Sequence, residues 1–275
     1  MTRHGLSTRY RALLPGVYIS NDASPTAADH IRAAALWAPA GSVIGGWAAA
    51  RLHGERWYSE RRCADSVDLY SARALRAPKG VRVRILRRPL APDDLARADD
   101  IATTAPGRTA VDVGRWTTGL DRRICAIDSV CNAARIGVGD VSAAAGRMSG
   151  QHGVADVLHL LAECDPRADS PRESLLRLTI HRSDLPRPVS QLRIRNEYGA
   201  VVATADLGYE REKVAIFYDG AHHGRPDQWK FDAGVNAELT DLGWEVLRVV
   251  SQMTPATVLH RIARALARGS QRNGL

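Results

Sequence analysis

Between Ala203 and Asp232 the chain places two strand-like runs that each close on an aspartate, followed by a pair of histidines. The first run, Ala200 to Asp206, ends at Asp206. The second, Lys213 to Asp219, ends at Asp219, and Gly220, His222 and His223 follow. Carboxylates of this kind suit a hard divalent cation such as Mg²⁺ (or Mn²⁺), which takes oxygen ligands. Such an ion can carry the charge that grows on a phosphate under attack and ready a water molecule, which is the chemistry of phosphodiester hydrolysis. Asp206 and Asp219 are the candidate ligands. His222 and His223 are candidates for general base or acid, because imidazole titrates near neutral pH. Glu173, farther upstream, is a third candidate acid.

These side chains depend on the elements that carry them. β-Branched and aromatic residues in the two runs predict strands, and the polar break from Gly208 to Glu212 predicts a hairpin connection. The register matters. A tight turn at Glu210-Arg211 would set Asp206 opposite Ala215 and leave Asp219 about 13 Å farther on, at ~3.3 Å per residue. A loop running from Gly208 to Lys213 would instead bring Asp206 near Phe217 or Tyr218. Glu173 opens a helix in Ser170-Pro171-Arg172-Glu173. The same residues form a capping box with proline at the first helical position, which explains the glutamate without any chemistry. Asp-Gly is likewise a common turn pair, so Asp219 has a purely structural reading. Gln228–Leu242 reads as a helix closed by Gly243. Trp244–Val250 reads as an apolar strand and Thr254–Arg268 as an amphipathic closing helix. Asp232 fits the first turns of its helix, and Trp229 and Trp244 fit a core.

Six pieces in order, Ser170–Ser174, Leu185–Gln191, Thr204–Glu210, Val214–His223, Trp229–Asp232 and Leu242–Val249, resemble the very-short-patch-repair (Vsr) endonucleases of the PD-(D/E)XK nuclease superfamily. The resemblance covers about the last 110 residues. It implies a restriction-endonuclease-like mixed sheet flanked by helices. It also implies that Glu173 and Asp206 occupy acidic sites of the family and that Asp219 with His222 or His223 forms its DG-x-H motif. The chain departs from the pattern at Phe217, where many relatives carry an acid. A main-chain carbonyl of Phe217 or Tyr218 is then the expected ligand, as in Vsr itself. The D/E-x-K lysine is absent from the sequence, and Val235 stands where an arginine is common.

The rest of the chain reads differently. Gly16–Ile19 predicts a strand, Thr26–Ala38 an Ala-rich helix stopped by Pro39, and Ser42–Gly54 a second helix. This stretch, about residues 5–55, resembles the N-terminal part of AbiEi-type antitoxins, with the winged helix that precedes the strand truncated. Ser66–Tyr70 and Val81–Leu86 read as strands. In the latter, Arg82 and Arg84 share one face, which suits either a phosphate-contacting ribbon or the solvent face of a half-buried strand. Residues 89–104 are acidic and rich in proline and alanine, and read as a surface connection. Arg108–Trp116, Leu120–Ala134 and Val154–Cys164 read as helices. The polar run Asp165–Asp169 sets a domain boundary, giving an N-terminal region 1–165 and a nuclease-like domain 166–275.

The whole is expected to be α/β in the α+β sense: a C-terminal mixed sheet flanked by helices, preceded by a smaller, mostly helical region with a short β-ribbon. At 275 residues with a formal net charge of +8, the chain favours a polyanionic partner such as DNA. Only three of its 38 basic residues are lysine, however, and widespread solvated arginine explains the charge equally well. Cys63, Cys125, Cys131 and Cys164 lack zinc spacing and read as reduced core thiols. No apolar run is long enough to span a bilayer and no leader pattern is present, so a soluble cytoplasmic protein without a membrane partner is expected. Two functions follow as expectations. The first is a metal-dependent DNA endonuclease. The second is a catalytically impaired DNA-binding or antitoxin-like regulator that retains a nuclease fold.

Overall fold

The computed structural model describes residues 8–78, 82–219, 226–272 and 274. The chain divides into two compact units, residues 1–166 and 167–275, and its class is mixed α+β.

The first unit opens with a hairpin of β1 (Tyr10–Leu14) and β2 (Val17–Ser20), turned at Pro15-Gly16 with Gly16 at φ +81°. Helix α1 (Ala27–Trp37) follows from a Thr26/Asp29 capping box. A five-stranded sheet then forms from β3 (Val43–Gly45), β4 (Val67–Tyr70), β5 (Val83–Leu86), β6 (Leu95–Ala98) and β7 (Ile101–Thr104), in the order β5-β4-β3-β7-β6. The unit therefore carries more sheet than the expected helical region with one ribbon. Two readings are corrected. The expected helix Ser42–Gly54 is a buried strand, β3, followed by a shorter helix α2 (Gly46–Leu52), the change falling at Gly46 with φ +54°. Residues 89–104, expected as a surface connection, contain the antiparallel pair β6–β7. Asp99 and Asp100, both at positive φ, close that hairpin in two residues.

Helix α3 (Ser59–Asp65) precedes β4. Helices α4 (Pro106–Trp116), α5 (Leu120–Ala134), α6 (Val138–Arg147) and α7 (Val154–Leu160) complete the unit. Ile31, Ile44, Leu69, Val111, Ile127, Val130 and Met148 lie in its core. Within that core Arg108 is 1% exposed. Its guanidinium donates to Asp112 at 3.1 Å, Asp94 at 2.9 Å and the Tyr70 hydroxyl at 2.9 Å. Arg147 and Arg115 supply further charge to Asp94 and Asp112. Arg84, on the strand considered for phosphate contact, instead pairs with buried Asp68 at 2.5 Å and stacks over Trp116. All four cysteines are thiols, none in a disulfide, and burial pushes Cys63 up to about 12.

The second unit is a four-stranded sheet in the order β11-β10-β9-β8. Its strands are β8 (Val189–Arg195), β9 (Val201–Tyr209), β10 (Val214–Asp219) and β11 (Glu245–Val250). β8, β9 and β10 are antiparallel neighbours, and β10 runs parallel to β11. Helix α8 (Pro171–His181) and helix α10 (Pro255–Arg272) cover one face, where Leu176, Ile180, Val258 and Ile262 meet Leu207, Ile216, Leu247 and Val249. Helix α9 (Pro226–Asp241) crosses from β10 to β11, and its Leu239 meets Leu192, Ile194, Ala205 and Ala215 on the other face. Alternating apolar residues on β10 and β11 serve both faces, which is why neither strand reads as half-polar. The approach of α10 is close: a Cβ on Gly269 would lie 2.2 Å from the Glu212 carbonyl oxygen. No helix among the described residues is long and apolar enough to cross a membrane.

Candidate functional site

The connection between β9 and β10 decides where the acids fall. Val214 pairs with Tyr209, Ala215 with Gly208 and Ile216 with Leu207, so the turn is four residues, Glu210 to Lys213. Lys213 takes φ +52° and its ammonium caps the Leu242 carbonyl at 2.9 Å, which fixes the wider turn. Continued by one step, the register sets Asp206 opposite Phe217 rather than Ala215. The ladder stops there, and the Asp206 carboxylate takes over. Its Oδ2 accepts the Tyr218 main-chain N–H at 2.6 Å.

Asp206 is partly buried, and removal from water raises its pKa to about 7. The Tyr218 N–H opposes the rise, while the negative charges of Glu173, Asp169 and Asp219 add to it. Asp206 therefore lies within electrostatic reach of Glu173, Asp169 and Asp219. Glu173 is 7% exposed. It accepts from the Ser170 hydroxyl at 2.7 Å on Oε1, and from the Asp169 N–H at 2.9 Å and the Gln191 side-chain amide at 3.0 Å on Oε2. Ser170 in turn caps α8 by accepting the Glu173 N–H. The glutamate thus serves the helix start, and its charge also acts on Asp206. Burial raises its pKa, against the lowering effect of Ser170 and Asp169 donors.

Asp219, at the end of β10, takes a different partner. The parallel register sets Phe217 beside Arg248 on β11, and that guanidinium reaches Asp219 at 3.0 and 3.2 Å and Asn236 at 3.2 Å. Arg248 also lies over the Phe217 ring, 5.7 Å from its centre. Phe217, where many members of the Vsr-like group carry an acid, therefore presents a ring to an arginine. Val235 packs into the α9-side core. His222 and His223 lie outside the described residues.

Mg²⁺ keeps several waters and uses one or two carboxylates. Asp206 suits that, since Oδ1 meets no donor among the described residues. Glu173 does not suit direct ligation, because both its oxygens hold donors. Asp219 is already opposed by Arg248. Among the described residues no group of three or more ligating side chains surrounds a common point. The fit is to a hydrated ion anchored on Asp206, not to an all-carboxylate cage.

Three residues at this pocket escape a reading of the sequence for chemistry. Asp169 sits in the polar break and reads as linker, although a carboxylate just before a capped helix start was a usable signal. Arg248 lies in an apolar strand and is assigned only by the parallel register. Gln191 carries no charge. A groove lined by Arg167, Asp169, Ser190, Gln191, Arg193 and Thr204 runs along the outer strand β8 beside them.

Comparison with known proteins finds no matching family model and no matching solved structure. Two curated relatives are "Uncharacterized protein MT2308" of Mycobacterium tuberculosis strain CDC 1551 / Oshkosh and "Uncharacterized protein Rv2248" of strain ATCC 25618 / H37Rv. Each is 29% identical over 178 residues, which is 63% of this chain and 65% of the relative's length.

Proposed function

We propose that the second unit is a Mg²⁺- or Mn²⁺-dependent DNA endonuclease of the Vsr-like, restriction-endonuclease-like type. The observation that carries this reading is Asp206. It is a partly buried carboxylate at the end of the β9–β10 ladder, bonded to one main-chain N–H, with its pKa raised by burial first and then by the charges of Glu173, Asp169 and Asp219. Burying such a carboxylate is costly unless a cation enters or a proton stays. A divalent ion bound there would neutralise the pocket and bear the charge growing on a scissile phosphate. Asp206 would hold that ion, helped by the main-chain oxygen of Tyr218 as the Vsr resemblance implies. Asp219 and Arg248 form a paired acid and base beside it, with the arginine able to face a phosphate. Glu173 orients the charge of the pocket from α8. His222 and His223 are the candidates for moving the proton of the attacking water.

The test is nicking of duplex DNA by the full chain, with and without Mg²⁺, comparing wild type with Asp206→Ala. The expected result is metal-dependent cleavage in wild type and a loss of at least about a hundredfold in the variant. Equal, metal-independent rates for the two proteins would end the reading.

A second reading is favoured by the Arg248–Asp219 pair and by Phe217. An acid already neutralised by arginine, beside a ring in place of an acid, suits a DNA-binding regulator that keeps a nuclease fold, antitoxin-like in its first unit and part of a toxin–antitoxin system. It predicts a salt-sensitive band shift on DNA with no cleavage under any divalent ion.

A further inference from the structure

The register of β8 on β9 sets Ser190 opposite Leu207 and Leu192 opposite Ala205, so Gln191 and Asp206 face each other across the two strands. Gln191 holds φ +52°. That is the left-handed region, inside a strand, for a residue with a full side chain. Such a conformation persists only where the surroundings over-determine it. The packing also changes sides at this level. Leu192 and Ala205 join the core under α9, whereas Leu207 joins the core under α8 and α10. Residues two apart on a regular strand point to the same face, so the Gln191/Asp206 rung is where the alternation breaks. From that rung the Gln191 amide reaches Glu173 on α8 at 3.0 Å. With the Ser170 hydroxyl and the Asp169 N–H, three donors fill the two oxygens of one carboxylate and fix its orientation.

We propose that Gln191 is a positioning residue of the acidic pocket: placed directly across from Asp206, it pins the Glu173 carboxylate at that level, and its left-handed backbone is kept for this purpose. Its effect on rate rests on the nuclease reading; the bond does not.

Gln191→Gly separates the two roles of the residue, because glycine accepts positive φ without strain while the amide is lost. The expected result is a full-length protein that stays folded, with relief of the backbone strain offsetting part of the cost of the lost hydrogen bond. It should cleave DNA with kcat lowered about 10- to 100-fold, the usual effect of losing a group that orients a site residue, and with KM unchanged. Glu173→Ala alone and combined with Gln191→Gly should give equal rates, since Gln191 acts through Glu173. Wild-type kcat in Gln191→Gly, or losses that multiply in the double variant, would overturn the proposal. The bond is read without cleavage, by NMR of the metal-free chain. The Gln191 side-chain amide protons should exchange slowly in wild type and rapidly in Glu173→Ala. Rapid exchange in wild type overturns the proposal whatever the activity. Slow exchange in a wild type that cleaves no DNA with Mg²⁺ or Mn²⁺ removes the nuclease reading and leaves the pinning of Glu173 standing.

Discussion

At the scale of the residue, Asp206 makes the sharpest prediction. Its folded pKa, about 7, stands above the ordinary 3.8. The folded, metal-free protein therefore keeps a proton between these values that the unfolded chain has lost. The associated stability is complete below about pH 4 and is lost as pH rises through about 7. Asp206→Asn keeps an acceptor for the Tyr218 N–H and removes the charge. It should be more stable than wild type by about 2–4 kcal/mol at pH 8, with the difference shrinking toward zero near pH 4. Urea titrations at pH 4, 6 and 8 measure this, and a pH-independent difference would refute it. Arg248→Ala tests the neighbouring pair. Arg248 and Asp219 are 35% and 40% exposed, so the loss in stability should be about 1 kcal/mol or less. Under the nuclease reading Mg²⁺ binding should tighten, because Asp219 loses a competing cation. Calorimetric titration with Mg²⁺ decides whether it does.

At the scale of the element, the two units place their charges differently. Helix α4 carries Arg108 into the first core, where it balances Asp94 and Asp112. Arg108→Met should cost about 3–5 kcal/mol, because two buried carboxylates lose their shared partner; denaturant unfolding checks it. The elements of the second unit were largely legible. Ser170, Pro171 and Glu173 announce α8, and β-branched runs announce β9 and β10, although β9 continues past Asp206 to Tyr209, through residues read as the start of the hairpin connection. The first unit was less so. Asp99-Asp100 supplies a turn that sequence habits assign to Asn-Gly, so the β6–β7 hairpin reads as a linker. Val43–Gly45 is too short, and too rich in small neighbours, to stand apart from the helix behind it. The candidate site was legible only in its acids. The left-handed Gln191 leaves no mark in residue type, and the Arg248–Asp219 pair exists only once β11 lies parallel to β10 in one register.

At the scale of the whole molecule, the net charge of +8 makes any DNA association depend on ionic strength. Affinity should fall as salt rises, with a logarithmic slope of about −0.9 for each phosphate neutralised, and binding at a series of salt concentrations measures it. The second unit closes its core late in the chain. Val258, Ile262, Ala265 and Leu266 of α10 pack beneath the strands that carry Asp206 and Asp219. Ile262→Ala should lower the stability of that unit by about 2–5 kcal/mol, read as faster amide exchange in β9 and β10. The same arrangement has a consequence during synthesis, which delivers the chain from its first residue onward. Asp206 and Asp219 are translated 49 and 36 residues before Pro255, which opens the helix that seals their sheet. A nascent chain paused within α10 therefore presents the whole set of candidate groups without the scaffold that holds them in place, and any cutting of DNA waits for translation to pass Leu266.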